Sequence, residues 1–531
     1  MSEQTREESK NEGKPAGGKR TLSRRRFLRL VGATVAGTAL AAAGLGCGQS
    51  PTPPPGEQQG ATPTQPPSPT EVPAELNSDG DALKENEWLR EVEIIPEPQR
   101  QMERLVINPL PFSELQPKLF TDENLPDGSG DEKNQLLTLL YGINLELNYG
   151  AIFSLIPSYT KIFVGKSEIF GSKQEQFFRD WLAQKYGWER TRIENNISFV
   201  SLPDYGQAPW TQDWAEVAGN DREGKTVLLT SSSYPERGYK EMIRLLIDAF
   251  PQEFRFASLD VELPDGTKFT YATGGDTEFS VSPEGKPIFI CGKKTFGELY
   301  ERFFGPIPFA QDKIDTLKNQ LGQSLGNMEV MVVCERYLLE KQTAGESDIF
   351  HWDMGGLILD NGNGPIAYVP EEVSGGWASF MEELTWIKEQ LESRGYPVRR
   401  LPFVGPMIYY GPANCVRFQN RETGQPTVWL PLSPSFDDYA TLLQEQEAFS
   451  GLTEAWKNDP SPVNFQGLKE YLEGLKQRVE TVPQDPFYSQ QIQVLEQDGF
   501  AVFPIAAWGL SGGRIHCKTL AEIYSKKAAS V

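Results

Sequence analysis

Val330-Met331-Val332-Val333, then Ile349-Phe350-His351-Trp352-Asp353-Met354, then Leu357-Ile358-Leu359, then a helical spacing of apolar residues from Phe380 to Arg394: this central stretch sets the reading of the chain. Short runs of branched apolar residues suit strands buried on both faces, whereas apolar residues every three or four positions suit a helix with one buried stripe. The alternation extends outward in both directions. Lys161-Ile162-Phe163-Val164, Thr226-Val227-Leu228-Leu229 and Pro287-Ile288-Phe289-Ile290 are further β-type runs. Gln176 to Tyr186, Tyr239 to Phe250, Tyr439 to Leu452 and Phe465 to Val479 carry helical spacing. Strands interleaved with helices predict an α/β protein with a mixed sheet. There is no sequence repeat of fixed period, and no G-x-G-x-x-G, Walker A or zinc-type Cys/His spacing. The apolar stretch Leu136 to Pro157 contains Asn144, Glu146, Asn148 and two glycines, which predicts buried core elements rather than a membrane span.

The 531 residues carry a net charge of -22, with 38% apolar and 23% charged residues, so the composition predicts a globular chain with appendages and no nucleic-acid partner. The N-terminus has the opposite charge, with nine basic and four acidic residues in its first 47. Ser23-Arg24-Arg25-Arg26-Phe27-Leu28-Arg29, followed by an uncharged Ala/Gly-rich stretch from Leu30 to Leu45, resembles a twin-arginine export signal. Gly44-Leu45-Gly46-Cys47 resembles a lipoprotein cleavage site with its Leu one place too close to the Cys, so Cys47 is a candidate for lipidation. These features predict export across a bacterial cytoplasmic membrane to the periplasm or cell surface, with membrane attachment only through the signal or a lipid. Residues 48–85 form a Pro-rich linker too poor in apolar side chains to fold. Trp88-Leu89 and Val92-Glu93-Ile94-Ile95 begin the folded part. Residues 86–200 form an N-terminal portion of uncertain assignment.

The chain has two histidines, His351 and His516. A thiolate nucleophile that needs an imidazole therefore has few pairings. In a strand over residues 514–518, His516 and Cys517 would point to opposite faces, which leaves His351 as the candidate partner of Cys517. Asp353 lies two positions on, so an extended segment would place it on the same face as His351. These residues alone fit buried core or a chance H-x-D equally well. Of the five cysteines, Cys291, Cys334 and Cys415 sit in apolar or mixed runs and are read as reduced core residues.

Four segments in order carry a resemblance. They are Pro209-Trp210-Thr211-Gln212-Asp213-Trp214-Ala215-Glu216, Gly275-Asp276-Thr277-Glu278-Phe279-Ser280-Val281-Ser282-Pro283, His351-Trp352-Asp353, and Gly512-Gly513-Arg514-Ile515-His516-Cys517-Lys518-Thr519. Together they resemble the guanidino-group modifying enzymes, and the first two resemble the protein-arginine deiminases. The resemblance implies a five-bladed α/β propeller (pentein) of ββαβ units, with residues 201–531 as the catalytic domain. It implies hydrolysis of peptidyl arginine to citrulline and ammonia, with Asp213, His351, Asp353 and Cys517 as the catalytic set. A guanidinium with a pKa above about 12 stays cationic, so two carboxylates suit its planar array of donors. A thiol near pKa of about 8.5 needs a cationic neighbour or substrate to attack as thiolate. The imidazole would protonate departing ammonia and then activate a water.

The resemblance also implies that Trp210 lines the substrate side chain and that Arg237, in Arg237-Gly238-Tyr239-Lys240-Glu241, reads a peptide carbonyl; an exposed Arg237 paired with Glu241 on a helix fits as well. Gln212, Glu216 and Glu278 match side-chain ligands of a calcium site, while Trp214 and Thr230 stand where a second site would need carboxylates. The expected partners are arginine-containing proteins or peptides and Ca²⁺. Two other readings remain open: a deiminase of agmatine or another small guanidine, favoured by the GGxxHC segment, and an exported solute-binding lipoprotein without catalysis. A papain-like peptidase fits poorly, because the candidate nucleophile follows the histidine in the chain and no Cys-Trp signature accompanies it.

Overall fold

The computed structural model describes residues 88–523, except for 110–140, 143–144, 146–148, 168–170, 203–214, 231–238, 271–274, 345–348, 373–377, 404–412, 432–447, 449–450, 480–486, 506–518 and the single positions 350, 453, 457 and 460. The chain divides into residues 1–75 and 76–531, and every described residue belongs to the second unit. The strands are β1 (Val92–Ile94), β2 (Met102–Ile107), β3 (Lys161–Ser167), β4 (Ile197–Leu202), β5 (Ala215–Asp221), β6 (Thr226–Thr230), β7 (Phe254–Ala257), β8 (Asp260–Glu262), β9 (Lys268–Thr270) and β10 (Thr277–Val281). They continue as β11 (Pro287–Cys291), β12 (Glu329–Val332), β13 (Leu357–Asp360), β14 (Pro365–Glu372), β15 (Val398–Phe403), β16 (Val416–Gln419), β17 (Pro426–Pro431), β18 (Ala501–Ile505) and β19 (Thr519–Ile523).

The result is a mixed α/β structure built from several small sheets. Five of them share one internal order, in which a strand pairs antiparallel with a second and the second pairs parallel with a third. These triplets are β5-β6-β7, β10-β11-β12, β13-β14-β15, β16-β17-β18 and β19-β2-β3. The order follows from the connections. Four of the five antiparallel pairs, all but β19-β2, are joined by short turns, and in those of β5-β6 and β10-β11 Gly224 and Gly285 adopt positive φ and donate to the carbonyls of Asp221 and Ser282. Parallel partners need a longer crossover, which helices supply: Tyr239–Ala249 before β7, Lys293–Phe304 and Gln311–Ser324 before β12, and Ala378–Ser393 before β15. The helices Pro462–Val479 and Tyr488–Gln497 precede β18. β1 adds to β5, β4 adds to β3, and β8 and β9 form a separate ribbon.

In several of the sheets both faces are buried, and alternate residues of one strand serve different cores. In β11, Phe289 and Cys291 pack with the helices before β12, whereas Ile288 and Ile290 pack with Ile358, Ala367 and Leu384. In β14, Ala367 and Val369 share that second core while Ile366 and Tyr368 join Val428, Leu430 and Leu495 in the next. Trp429 of β17 faces away from that core and packs with Val106, Ile162 and Leu228. Each sheet thus shares a core with its neighbour in the chain, and β16-β17-β18 shares one with the sheet holding β2 and β3.

Strand pairing crosses one sequence boundary, and one expectation of burial holds. The boundary set at residue 200 separates nothing structurally, because β1 pairs with β5 and β2 pairs with β19 across it. Tyr141, Leu145, Tyr149, Ile152 and Phe153 lie in a core, as the polar residues of Leu136 to Pro157 led us to expect. Among the described residues, no helix is long and apolar enough to cross a membrane.

Candidate active site

The backbone around His351 is extended, but Trp352–Gly355 form a single helical turn with His351 at its N-terminus. The extended reading of residues 351–353 is therefore corrected, since the Met354 and Gly356 N–H groups donate to the His351 and Trp352 carbonyls and close a turn before β13 begins. His351 and Asp353 nevertheless both approach Gly275. A Cβ placed on Gly275 would lie 3.0 Å from His351 Nδ1 and 3.5 Å from Asp353 Oδ2. Gly275 has φ +79, a conformation that favours glycine, and its carbonyl accepts from the Asp353 backbone N–H at 3.3 Å. The Asp353 carboxylate also accepts from Asn414 Nδ2 at 2.6 Å. His351 and Asp353 are both buried, at 8% and 2% exposure. A carboxylate so enclosed and so oriented is suited to a cationic partner.

A second polar cluster adjoins this pair. Glu278 on β10 accepts from Trp352 Nε1 at 2.7 Å and lies 2.6 Å from the Arg417 guanidinium on β16. Arg417 also lies 3.0 Å from Glu97, in the short 3-10 turn Glu97–Gln99 that touches β10, β13 and β16. Burial alone would lower the pKa of Arg417, but Glu278 and Glu97 outweigh it and hold the guanidinium above its ordinary range. Glu216 on β5 faces Arg100 at 3.4 Å, and Arg100 Nε donates to the Ile95 carbonyl. All five charged residues are buried. Next to Gly275, burial pushes Asp276 up to about 6, partly offset by hydrogen bonding at Thr295, whose backbone N–H the Asp276 carboxylate accepts near the start of helix Lys293–Phe304.

The structure thus brings together His351, Asp353, Gly275 and Glu278, and it places Glu216 on β5, which lies beside β10. Trp210, Gln212, Asp213, Arg237, Cys517 and Cys47 lie outside the described residues. Cys291, Cys334 and Cys415 are free and buried, in line with their reading as core residues. Burial pushes the thiols of Cys334 and Cys415 up to about 12. Sequence reasoning missed Asn414, Arg417, Arg100 and Glu97. Arg417 had a legible signal, a cation inside the apolar run Ala413 to Phe418, which must find a buried partner. Arg100 had none.

The two carboxylates expected to take calcium each contact a guanidinium, Glu216 that of Arg100 at 3.4 Å and Glu278 that of Arg417 at 2.6 Å. Calcium takes six to eight oxygen ligands, and the guanidinium groups already bring positive charge to these two carboxylates. Among the described residues, no group of three or more His, Cys, Asp or Glu side chains is arranged to hold a metal.

No protein-family model matches the chain, and no curated protein matches it. Among solved structures, it is similar to an agmatine deiminase of Enterococcus faecalis, with 10% sequence identity, a TM-score of 0.37, and coverage of 81% of this chain and 95% of that one.

Proposed function

We propose that this chain hydrolyses the guanidinium of peptidyl arginine to a ureido group and ammonia on a five-bladed α/β propeller, with Cys517, His351, Asp353 and Asp213 as its catalytic residues. The observation that carries the reading is the convergence of His351 and Asp353 on Gly275, with Asn414 fixing the carboxylate. Chain position supports the remaining pair. Asp213 stands two residues before β5, Cys517 two residues before β19, and β19 lies against β5. Gly275, Asp353 and Asn414 likewise stand just before β10, β13 and β16, each the first strand of its triplet. Five sheets of one internal order, each sharing a core with the next, support the propeller.

In this reading Asp353 and Asp213 accept the substrate's N–H donors and hold its central carbon beside sulfur. The Cys517 thiolate adds to that carbon. The tetrahedral adduct collapses as the C–N bond breaks, and His351 gives its proton to the departing ammonia. The neutral imidazole then takes a proton from water, the hydroxide adds to the thiouronium, and the thiolate leaves to give the ureido product. A Gly275→Ala substitution puts a methyl 3.0 Å from His351 Nδ1 at a backbone conformation that disfavours alanine. Turnover is expected to fall about 10- to 100-fold with little change in KM, as measured by steady-state ammonia release.

Citrulline and ammonia formed from an arginyl peptide blocked at both ends tests the substrate assignment. The GGxxHC segment at Gly512 to Cys517 favours the small-guanidine reading. Rapid turnover of agmatine with none of the blocked peptide would replace our reading with that one. The leader Arg24-Arg25-Arg26-Phe27-Leu28 supports export by the twin-arginine route with the Pro-rich segment as a tether. Changing Arg24 and Arg25 to Lys is expected to keep the protein in the cytoplasm; unimpaired export would refute this.

A further inference from the structure

The carboxylates that match calcium ligands already carry cations. Glu278 contacts Arg417 at 2.6 Å, Glu97 shares the same guanidinium at 3.0 Å, and Glu216 faces Arg100 at 3.4 Å. Arginine and a divalent ion solve the same problem, since each neutralises buried carboxylates drawn from remote segments and fixes their mutual geometry. They differ in exchange. A covalently attached guanidinium is present whenever the chain is folded, whereas a bound ion follows its concentration. The two arginines also link the pieces that position the proposed catalytic groups. Arg417 lies three residues after Asn414, which holds Asp353, and Glu278 holds the indole of Trp352 between His351 and Asp353. Arg100 donates to the Ile95 carbonyl while facing β5, the strand that Asp213 precedes.

We infer that Arg100 and Arg417 are built-in replacements for the calcium ion, so that the protein assembles this site without Ca²⁺ and is not switched on by it. Its catalytic part rests on the proposed deimination, whereas its statement about calcium binding does not.

The test uses the full-length chain and readouts that need no turnover. Thermal unfolding in millimolar CaCl₂ and in EGTA is expected to give the same midpoint. Equilibrium dialysis is expected to show no saturable Ca²⁺ binding at micromolar concentrations. Arg417→Ala exposes Glu278 and Glu97 to each other, and its lowered midpoint is expected to rise when Ca²⁺ is added, which the wild type does not do. Saturable binding of one Ca²⁺ per wild-type chain, or a calcium-dependent rise in the wild-type midpoint that Glu278→Gln abolishes, overturns the inference. The dialysis result stands even if Arg417→Ala does not fold. Failure to release ammonia from any guanidine would instead sink the functional proposal and leave this one intact.

Discussion

Cys517→Ala is expected to lower ammonia release at least about 10³-fold, the scale seen when a covalent nucleophile is removed, without shifting the thermal midpoint. The choice of this sulfur rests partly on the others. Cys291, Cys334 and Cys415 are buried, and burial raises each thiol above its ordinary range, so none is available as a thiolate near neutral pH. Alanine at any of those three should leave turnover within about threefold of wild type, because a small apolar side chain replaces an inert one. Steady-state assays on the four variants with a blocked arginyl peptide and with agmatine check both statements. Substantial turnover by Cys517→Ala on either substrate, or its loss in one of the other three, would place the nucleophile elsewhere.

Lys293→Met is expected to destabilise the folded unit by about 3–5 kcal/mol, the range found when one member of a buried ion pair is removed. Lys293 begins helix Lys293–Phe304 and Glu383 lies in helix Ala378–Ser393, so their ion pair joins the crossovers of two neighbouring sheets. Both side chains are 2% exposed, and the ammonium also sits 4.6 Å from the centre of the Tyr337 ring. Removing the cation leaves the buried Glu383 carboxylate without its ion-pair partner, on a helix whose Leu384 belongs to the core. The double variant Lys293→Met, Glu383→Leu removes both charges and should recover most of the loss. Urea unfolding of the wild type, single and double variants measures this. A single variant as stable as wild type, or a double variant worse than the single, would contradict the pairing.

The sequence reading and the structure agree where burial is two-sided. The apolar runs at Thr226 to Leu229 and Pro287 to Ile290 are strands whose alternate side chains enter different cores, and in Lys161 to Val164 the buried Ile162, Phe163 and Val164 share one core, so no polar face interrupts any of the three runs. The helices over 171–186, 239–249, 378–393 and 462–479 fall on the predicted segments with small shifts at their ends. The segment from Tyr439 to Leu452 lies mostly outside the described residues.

Less legible were the features set by remote partners. β19 and β2 come from opposite ends of the described chain, and nothing local in Thr519–Ile523 announces the pairing. The same holds for the charge network. Glu216 and Glu278 entered the sequence reading only as matches to calcium ligands, and local sequence does not distinguish a metal from an arginine supplied by another segment. The turn at Trp352–Gly355 was read as extended because H-x-D spacing alone fits both. What survived the error was the convergence of His351 and Asp353, which depends on Gly275 and not on the strand geometry assumed.

The most direct measurement is the rate at which Cys517 is alkylated by 2-chloroacetamidine, a cation shaped like the reacting end of arginine, compared with neutral 2-chloroacetamide. Peptide mass mapping assigns the modified sulfur. The account predicts labelling confined to Cys517, an amidine preference of about 10- to 100-fold relative to free cysteine, and loss of that preference in Asp353→Asn, because charge-assisted hydrogen bonds hold the cation. Equal preference in the protein and in free cysteine, or a preference unchanged by Asp353→Asn, would contradict a site in which this sulfur and this carboxylate share one guanidinium.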